Sequence, residues 1–103
     1  MIQYNMKNNK TYGYVYIGHR HGLTKIGISS NPFARKRQIE TASGISFECF
    51  FVFYTYANKA CEKYLLGLCG DTRVDGEWFK DEDSSGISWM YKKLKSTCEE
   101  IYK

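Results

Sequence analysis

The residues best suited to hold a phosphate lie close together in this sequence. Lys25 is followed by the run Arg35, Lys36 and Arg37, and Lys7 and Lys10 precede them. The formal charge is only +4 over 103 residues, so the cations matter by their focus and not by their sum. A clustered basic patch complements a phosphodiester backbone better than an evenly charged surface does. A basic run on a helix is more commonly a solvated face, and charge by itself leaves both readings open. His19 and His21 stand between Gly18 and Gly22, in a stretch that reads as a turn. A histidine there is usually just exposed, so these two count as extensions of a phosphate groove and not as its centre.

Other chemistries are excluded by composition and spacing. Cys49, Cys61, Cys69 and Cys98 form no C-x-x-C pair and neither histidine is near them in sequence, which argues against zinc. Apolar neighbours such as Phe50, Phe51, Leu68 and Ile101 mark these thiols as small core residues of a reduced compartment, not a disulfide frame. With 43% hydrophobic and 25% charged residues, the chain is far from the composition of a disordered segment. Its length allows one modest core. No apolar run approaches the roughly 20 residues of a membrane span, and Met1 to Lys10 has no apolar leader segment. A soluble cytoplasmic protein without membrane contact is expected.

The elements that must carry the cations can be read from periodicity. Residues 1–11 are polar and aperiodic and are expected to form a flexible N-terminal arm before a single domain, 12–103. From Tyr12 to Ile17 the pattern alternates, with Val15 and Ile17 on one side and Tyr12, Tyr14 and Tyr16 on the other. Gly18 to Gly22 turns the chain, and Thr24 to Ile28 repeats the alternation. If Val15, Ile17, Ile26 and Ile28 share the core face, Tyr14, Tyr16 and Lys25 emerge together on the opposite one. Asn31-Pro32 opens a helix, with Asn as N-cap and Pro in the first position, that runs to about Ala42 and ends at Gly44. Arg35, Lys36 and Arg37 ride on its first two turns.

Phe47 to Tyr56 reads as the central strand of the sheet. Between Ala57 and Leu68, apolar residues at helical spacing define a second helix and set Glu62 just off its buried stripe. Asp75-Gly76 is a turn between short extended pieces. Trp78 and Phe79 are expected to close the core beneath the last helix, although an exposed indole also stacks on bases. That helix is capped within Asp83 to Ser85 and carries the stripe Ile87, Met90, Tyr91, Leu94, Cys98 and Ile101. The fold class is therefore α+β: a small antiparallel three-stranded sheet flanked by helices, in the order β-β-α-β-α, short extended pieces, α.

This order, and three sets of residues within it, resemble the GIY-YIG nuclease family. Val15-Tyr16 after Gly13 echoes the first family motif, and Lys25-Ile26-Gly27 the second. Arg35 stands eight residues after that glycine, where the family has its arginine, and Glu62 matches the family's metal-binding glutamate. The stretch from Arg73 to Phe79, ending in Gly76-Glu77-Trp78-Phe79, looks like the ending found in a phage and bacterial branch. The resemblance covers roughly residues 12 to 80. Two positions depart from it: Lys25 replaces the tyrosine of the second motif, and Leu66 stands where the branch often has a histidine.

What the resemblance implies is a metal-dependent endonuclease that hydrolyses phosphodiester bonds, DNA before RNA. Tyr16, Lys25, Arg35 and Glu62 would be its catalytic residues, and Tyr14, His19, His21, Lys36 and Arg37 would extend the nucleic-acid groove. Glu62 would offer carboxylate oxygen to one Mg²⁺ or Mn²⁺, an ion that keeps most of its waters. Arg35 would present a planar, permanently charged fork to the non-bridging oxygens. Tyr16 would orient or deprotonate the attacking water, with Lys25 supplying the positive charge that a phenol base needs. A homodimer would let so small a domain cut both strands. The alternative is a fold kept for gripping nucleic acid or a protein partner, with turnover feeble or lost.

Overall fold

The computed structural model describes residues 13–75 and 77–102; the expected arm over residues 1–11, and Tyr12, lie outside them. Strands β1 (Gly13–Arg20) and β2 (Leu23–Ser29) form an antiparallel hairpin. Its turn has two residues, His21 and Gly22, with φ of 50° and 73°, the left-handed pair that matches the twist of the flanking strands. Helix α1 (Pro32–Ser43) follows, with the Asn31 side chain accepting from the Ala34 amide and Gly44 closing it at φ 74°. The cap residues read from the sequence act as expected.

Strand β3 (Cys49–Thr55) pairs with the far side of β1, and helix α2 (Asn58–Cys69) returns across β1 and β2. A short 3₁₀ turn (Gly70–Thr72) leads to β4 (Arg73–Asp75) and β5 (Trp78–Lys80), then helix α3 (Ser85–Thr97) and β6 (Glu99–Ile101). All strands join one antiparallel sheet in the order β4-β5-β2-β1-β3-β6. The fold class is α+β as expected, but the sheet is larger than three strands. Three long strands make its centre, three three-residue strands extend it, and β1 rather than β3 lies in the middle. Strand β6 was hidden because Cys98 and Ile101 continue the helical spacing of α3. The helix nevertheless stops when the Cys98 amide bonds to the Leu94 carbonyl and Cys98 turns extended.

One face of the sheet carries the core. Val15, Ile17, Ile26, Phe53 and Phe79 meet Leu65 and Cys69 of α2 and Ile87, Met90 and Leu94 of α3, while Cys49, Cys61 and Cys98 pack around them. The start of α3 is fixed by a buried aspartate. Asp81 accepts from the amides of Gly86 (2.8 Å) and Ile87 (2.9 Å) and from the Thr24 hydroxyl (2.8 Å), so the exposed first turn is tied to β2. The Asp83 carboxylate accepts from Ser85, from its amide at 3.0 Å and its hydroxyl at 2.8 Å. Helix α1 lies over the opposite face, and among the described residues no helix is long and apolar enough to cross a membrane.

Candidate active site

The second face of the sheet is where parity puts Tyr16, Gly18, Arg20, Lys25 and Gly27. Tyr16 pairs with Gly27 across the hairpin, and its ring lies flat over that glycine, so that a Cβ at position 27 would overlap the phenol. The Phe50 ring stacks on Tyr16 from β3 at 5.2 Å. The ring is buried, and its hydroxyl is aimed toward the edge of β2. Burial holds the Tyr16 hydroxyl above its ordinary 10.0, although Arg35 from α1 hydrogen bonds to it and pulls the other way. The phenol is therefore neutral near pH 7.

The edge of β2 is open at this point because β5 is short. β5 pairs with Leu23, Thr24 and Lys25, and the Ile26 amide donates to the Glu77 carbonyl at 3.1 Å. Among the described residues no strand covers Gly27 to Ser29 on that side. Glu77, the last residue to touch β2, takes the Lys25 ammonium on its carboxylate at 3.1 Å. Glu62 arrives from α2 beside it. Burial, a hydrogen bond with Glu77 and the charge of Glu77 push the Glu62 carboxyl from 4.5 up to about 7, with Lys25 working in the opposite direction. A cleft of about 510 Å³ opens here between β2 and α1, bordered by Tyr16, Ser29, Asn31, Arg35 and Glu77.

The donor set fits a hard divalent cation. Glu62 Oε2 is buried and receives no hydrogen bond, a costly state for a carboxylate oxygen, and a second carboxylate stands next to it. Mg²⁺ and Mn²⁺ accept one or two protein carboxylates and fill the remaining positions with water. Among the described residues no group of three or more His, Cys, Asp and Glu side chains gathers around a common point.

The sequence matches the T5orf172 domain family over residues 13–101. The chain belongs to that family. The match begins at the first residue of β1 and ends at the last of β6, so the six-stranded sheet and its three helices are the T5orf172 domain. The family is nuclease-related, in keeping with the nuclease side of the resemblance. No curated protein and no solved structure matches the chain.

The T5orf172 domain brings together Tyr16, Lys25, Arg35 and Glu62, with Glu77, which the sequence offered as part of the Gly76-Glu77-Trp78-Phe79 ending and not as a catalytic group, as a fifth member. The expected groove residues divide. Tyr14 lies on the same face as Tyr16, edge-on to Tyr54 at 5.3 Å. Lys36 hangs beneath α1 with its ammonium 5.8 Å from the Phe50 ring, and Arg37 is exposed. His21 is exposed at the hairpin tip, its amide bonded to Glu48 Oε2 at 3.2 Å. His19 does not join the groove. It is buried on the core face, with Nδ1 2.8 Å from the Thr24 hydroxyl and 3.8 Å from Asp81. The turn begins at His21, not at Gly18, so the strand alternation runs on, sending His19 inward and Arg20 outward.

Arg20 is thus a groove residue missed in the sequence. Its guanidinium lies 4.6 Å from the Trp78 ring and 5.2 Å from the Phe47 ring, which are parallel to within 6°. Its Nη1 donates to Ser43 Oγ (2.8 Å) and the Ile45 carbonyl (2.9 Å). Of the two aromatic residues expected to close the core, Phe79 does so and Trp78 does not. Adjacent strand residues face opposite ways, and Trp78 lines a second cleft of about 450 Å³ with Arg20, Lys25, Arg35, Gln38 and Ser43.

Proposed function

We propose that this T5orf172 domain is a metal-dependent endonuclease of the GIY-YIG type that hydrolyses phosphodiester bonds in nucleic acid, DNA being the expected substrate. The observation that carries this reading is the convergence at the open edge of β2. A buried neutral phenol, Tyr16, and an exposed guanidinium, Arg35, line one cleft with Glu77, and Glu62, whose buried Oε2 receives no hydrogen bond, stands against Glu77 from a further element. Hydrolysis needs a positioned water, neutralised charge on the five-coordinate transition state and a proton for the departing oxygen.

Arg35 stands at the mouth of the cleft, where its planar fork meets non-bridging oxygens. The neutral Tyr16 hydroxyl orients the attacking water by hydrogen bonding and does not serve as its base, since burial outweighs the help that Arg35 gives to ionisation. The water proton passes to a carboxylate of the Glu62 and Glu77 pair as the new P–O bond forms, and the departing oxygen is protonated from solvent. Mg²⁺ or Mn²⁺, held by Glu62, would supply Lewis-acid stabilisation of the developing charge. Lys25 fixes Glu77 by the 3.1 Å ion pair, which makes it a positioning residue.

That same pair favours a second reading. With Lys25 neutralised internally and no tyrosine in its place, the fold would grip nucleic acid without cutting it. The test is incubation of the purified chain with supercoiled, linear, single-stranded and branched DNA and with RNA, in Mg²⁺, Mn²⁺ or EDTA, beside Glu62→Ala and Arg35→Ala. The endonuclease reading expects metal-dependent cleavage lowered by at least about a hundredfold in both folded variants. Salt-sensitive binding without cleavage by the wild type would leave the binding module.

A further inference from the structure

We propose that the cleft walled by Arg20, Lys25 and Trp78 is a binding subsite for the nucleic-acid strand that flanks the bond held at Tyr16, a proposal that rests on the nuclease reading above. Among the described residues, three cations and no acidic residue line this cleft. Lys25 is already matched by Glu77, so the charge offered to a ligand is that of Arg20 and Arg35. Both acceptors on Arg20 Nη1 are neutral, a hydroxyl and a carbonyl, and leave its charge uncompensated. The guanidinium is also packed against the stacked pair of Trp78 and Phe47 rings, 4.6 Å and 5.2 Å from their centres. An anion binding there meets a cation whose side-chain entropy is already spent, which favours affinity.

The position of the cleft says what the anion is. It shares Arg35 and Gln38 with the cleft at Tyr16, so the two form one path along α1. Arg20 is four residues from Tyr16 on the same face of β1, roughly 13 Å at about 3.3 Å per residue. That is the length of a few stacked nucleotides at about 3.4 Å each. A single phosphate would fill one end of this path, whereas a strand fills both. The ligand is therefore a phosphodiester strand that runs from the reaction centre toward the C-terminal end of α1, with a backbone phosphate at Arg20 and the Trp78 indole beside the neighbouring sugar or base.

Truncating Arg20 would also loosen α1, so the decisive variant adds charge at the lip. Ala42 is exposed and lines the cleft, while its neighbour Thr41 is exposed and lines neither cleft. Ala42→Glu and Thr41→Glu change the net charge equally on the same helix. The measurement is fluorescence anisotropy in EDTA, with labelled deoxyribonucleotide oligomers as probes, a dinucleotide and a decanucleotide, over a salt series. Expected is a several-fold weaker decanucleotide complex for Ala42→Glu than for Thr41→Glu, a salt slope lower by about one, and no such difference with the dinucleotide. Equal decanucleotide affinities for the two variants overturn the subsite, and so does a dinucleotide penalty as large as the decanucleotide one, which would mean a local anion site. If cleavage by the wild type persists in that case, the subsite alone has failed. A wild type that neither binds nor cuts removes both readings.

Discussion

Glu62 and Glu77 set two carboxylates against each other with one ammonium beside them, and this leaves a signature in pH. The Glu62 carboxyl sits near 7 in the folded chain against an ordinary 4.5. Folding therefore takes up a proton between those values, and the native state binds more protons than the unfolded one. Stability must then fall as pH rises from about 4.5 through about 7 and level off above. Because the side chain is partly solvated, the screened effect is on the order of 1 kcal/mol. Thermal unfolding in EDTA across this range should show the slope, Glu62→Gln should lack it, and Mg²⁺ should restore stability at the alkaline end. A slope unchanged in Glu62→Gln would assign it to another group. Tyr16→Phe isolates the hydroxyl: the ring keeps its seat on Gly27 and Phe50, so melting should hardly move while cleavage drops by about a hundredfold. Unaltered cleavage would show that the phenol oxygen does not touch the water.

Strands and helices position these residues through a few close fits, and β1 against β2 is the tightest. Gly27→Ala would drive its methyl into the Tyr16 phenol, which is buried and walled by Phe50. A loss of about 1 to 3 kcal/mol, with cleavage falling alongside, is expected from denaturant titration. Gly67→Ala in α2 meets open space and should instead stabilise that helix by up to about 1 kcal/mol. The same elements show how far the sequence could be read. The start and the stop of helix α1 were legible because Asn31, Pro32 and Gly44 act locally, although it runs to Ser43 and not only to about Ala42, and Glu62 was placed by the stripe of its own helix. Arg20 and His19 were exchanged because glycines at 18 and 22 disguised where the strand ends, and one residue of offset swaps faces. Glu77 was missed as a chemical group for a different reason. It lies within the Gly76-Glu77-Trp78-Phe79 ending, but its place beside Lys25 depends on the contact with Ile26, about fifty residues earlier, which the ending by itself does not reveal.

At the scale of the whole molecule, the described residues hold one set of converging groups and one path of two joined clefts leading to it. On the proposed nuclease reading, one chain would break one strand per encounter, and two copies would be needed for a double-strand break. With supercoiled plasmid at low protein concentration, nicked circles should accumulate before linear molecules, and the linear fraction should rise with protein concentration faster than the nicked one. Linear product at the earliest times, independent of concentration, would exclude independent single-strand cutting. Placing the site on an open strand edge also answers a hazard. Unpaired edges recruit other strands, and this one is occupied by the Tyr16 and Glu77 cleft and guarded by α1. The feature that keeps it open is the three-residue length of β5. Two more residues of pairing beyond Ile26 would zip Gly27 and Ile28 into the ladder and fill the cleft with backbone, leaving every side chain of the site in place. Activity in this fold would then be governed by where a hairpin ends, and a change in loop length could silence or open the site with no substitution at Tyr16, Arg35 or Glu62.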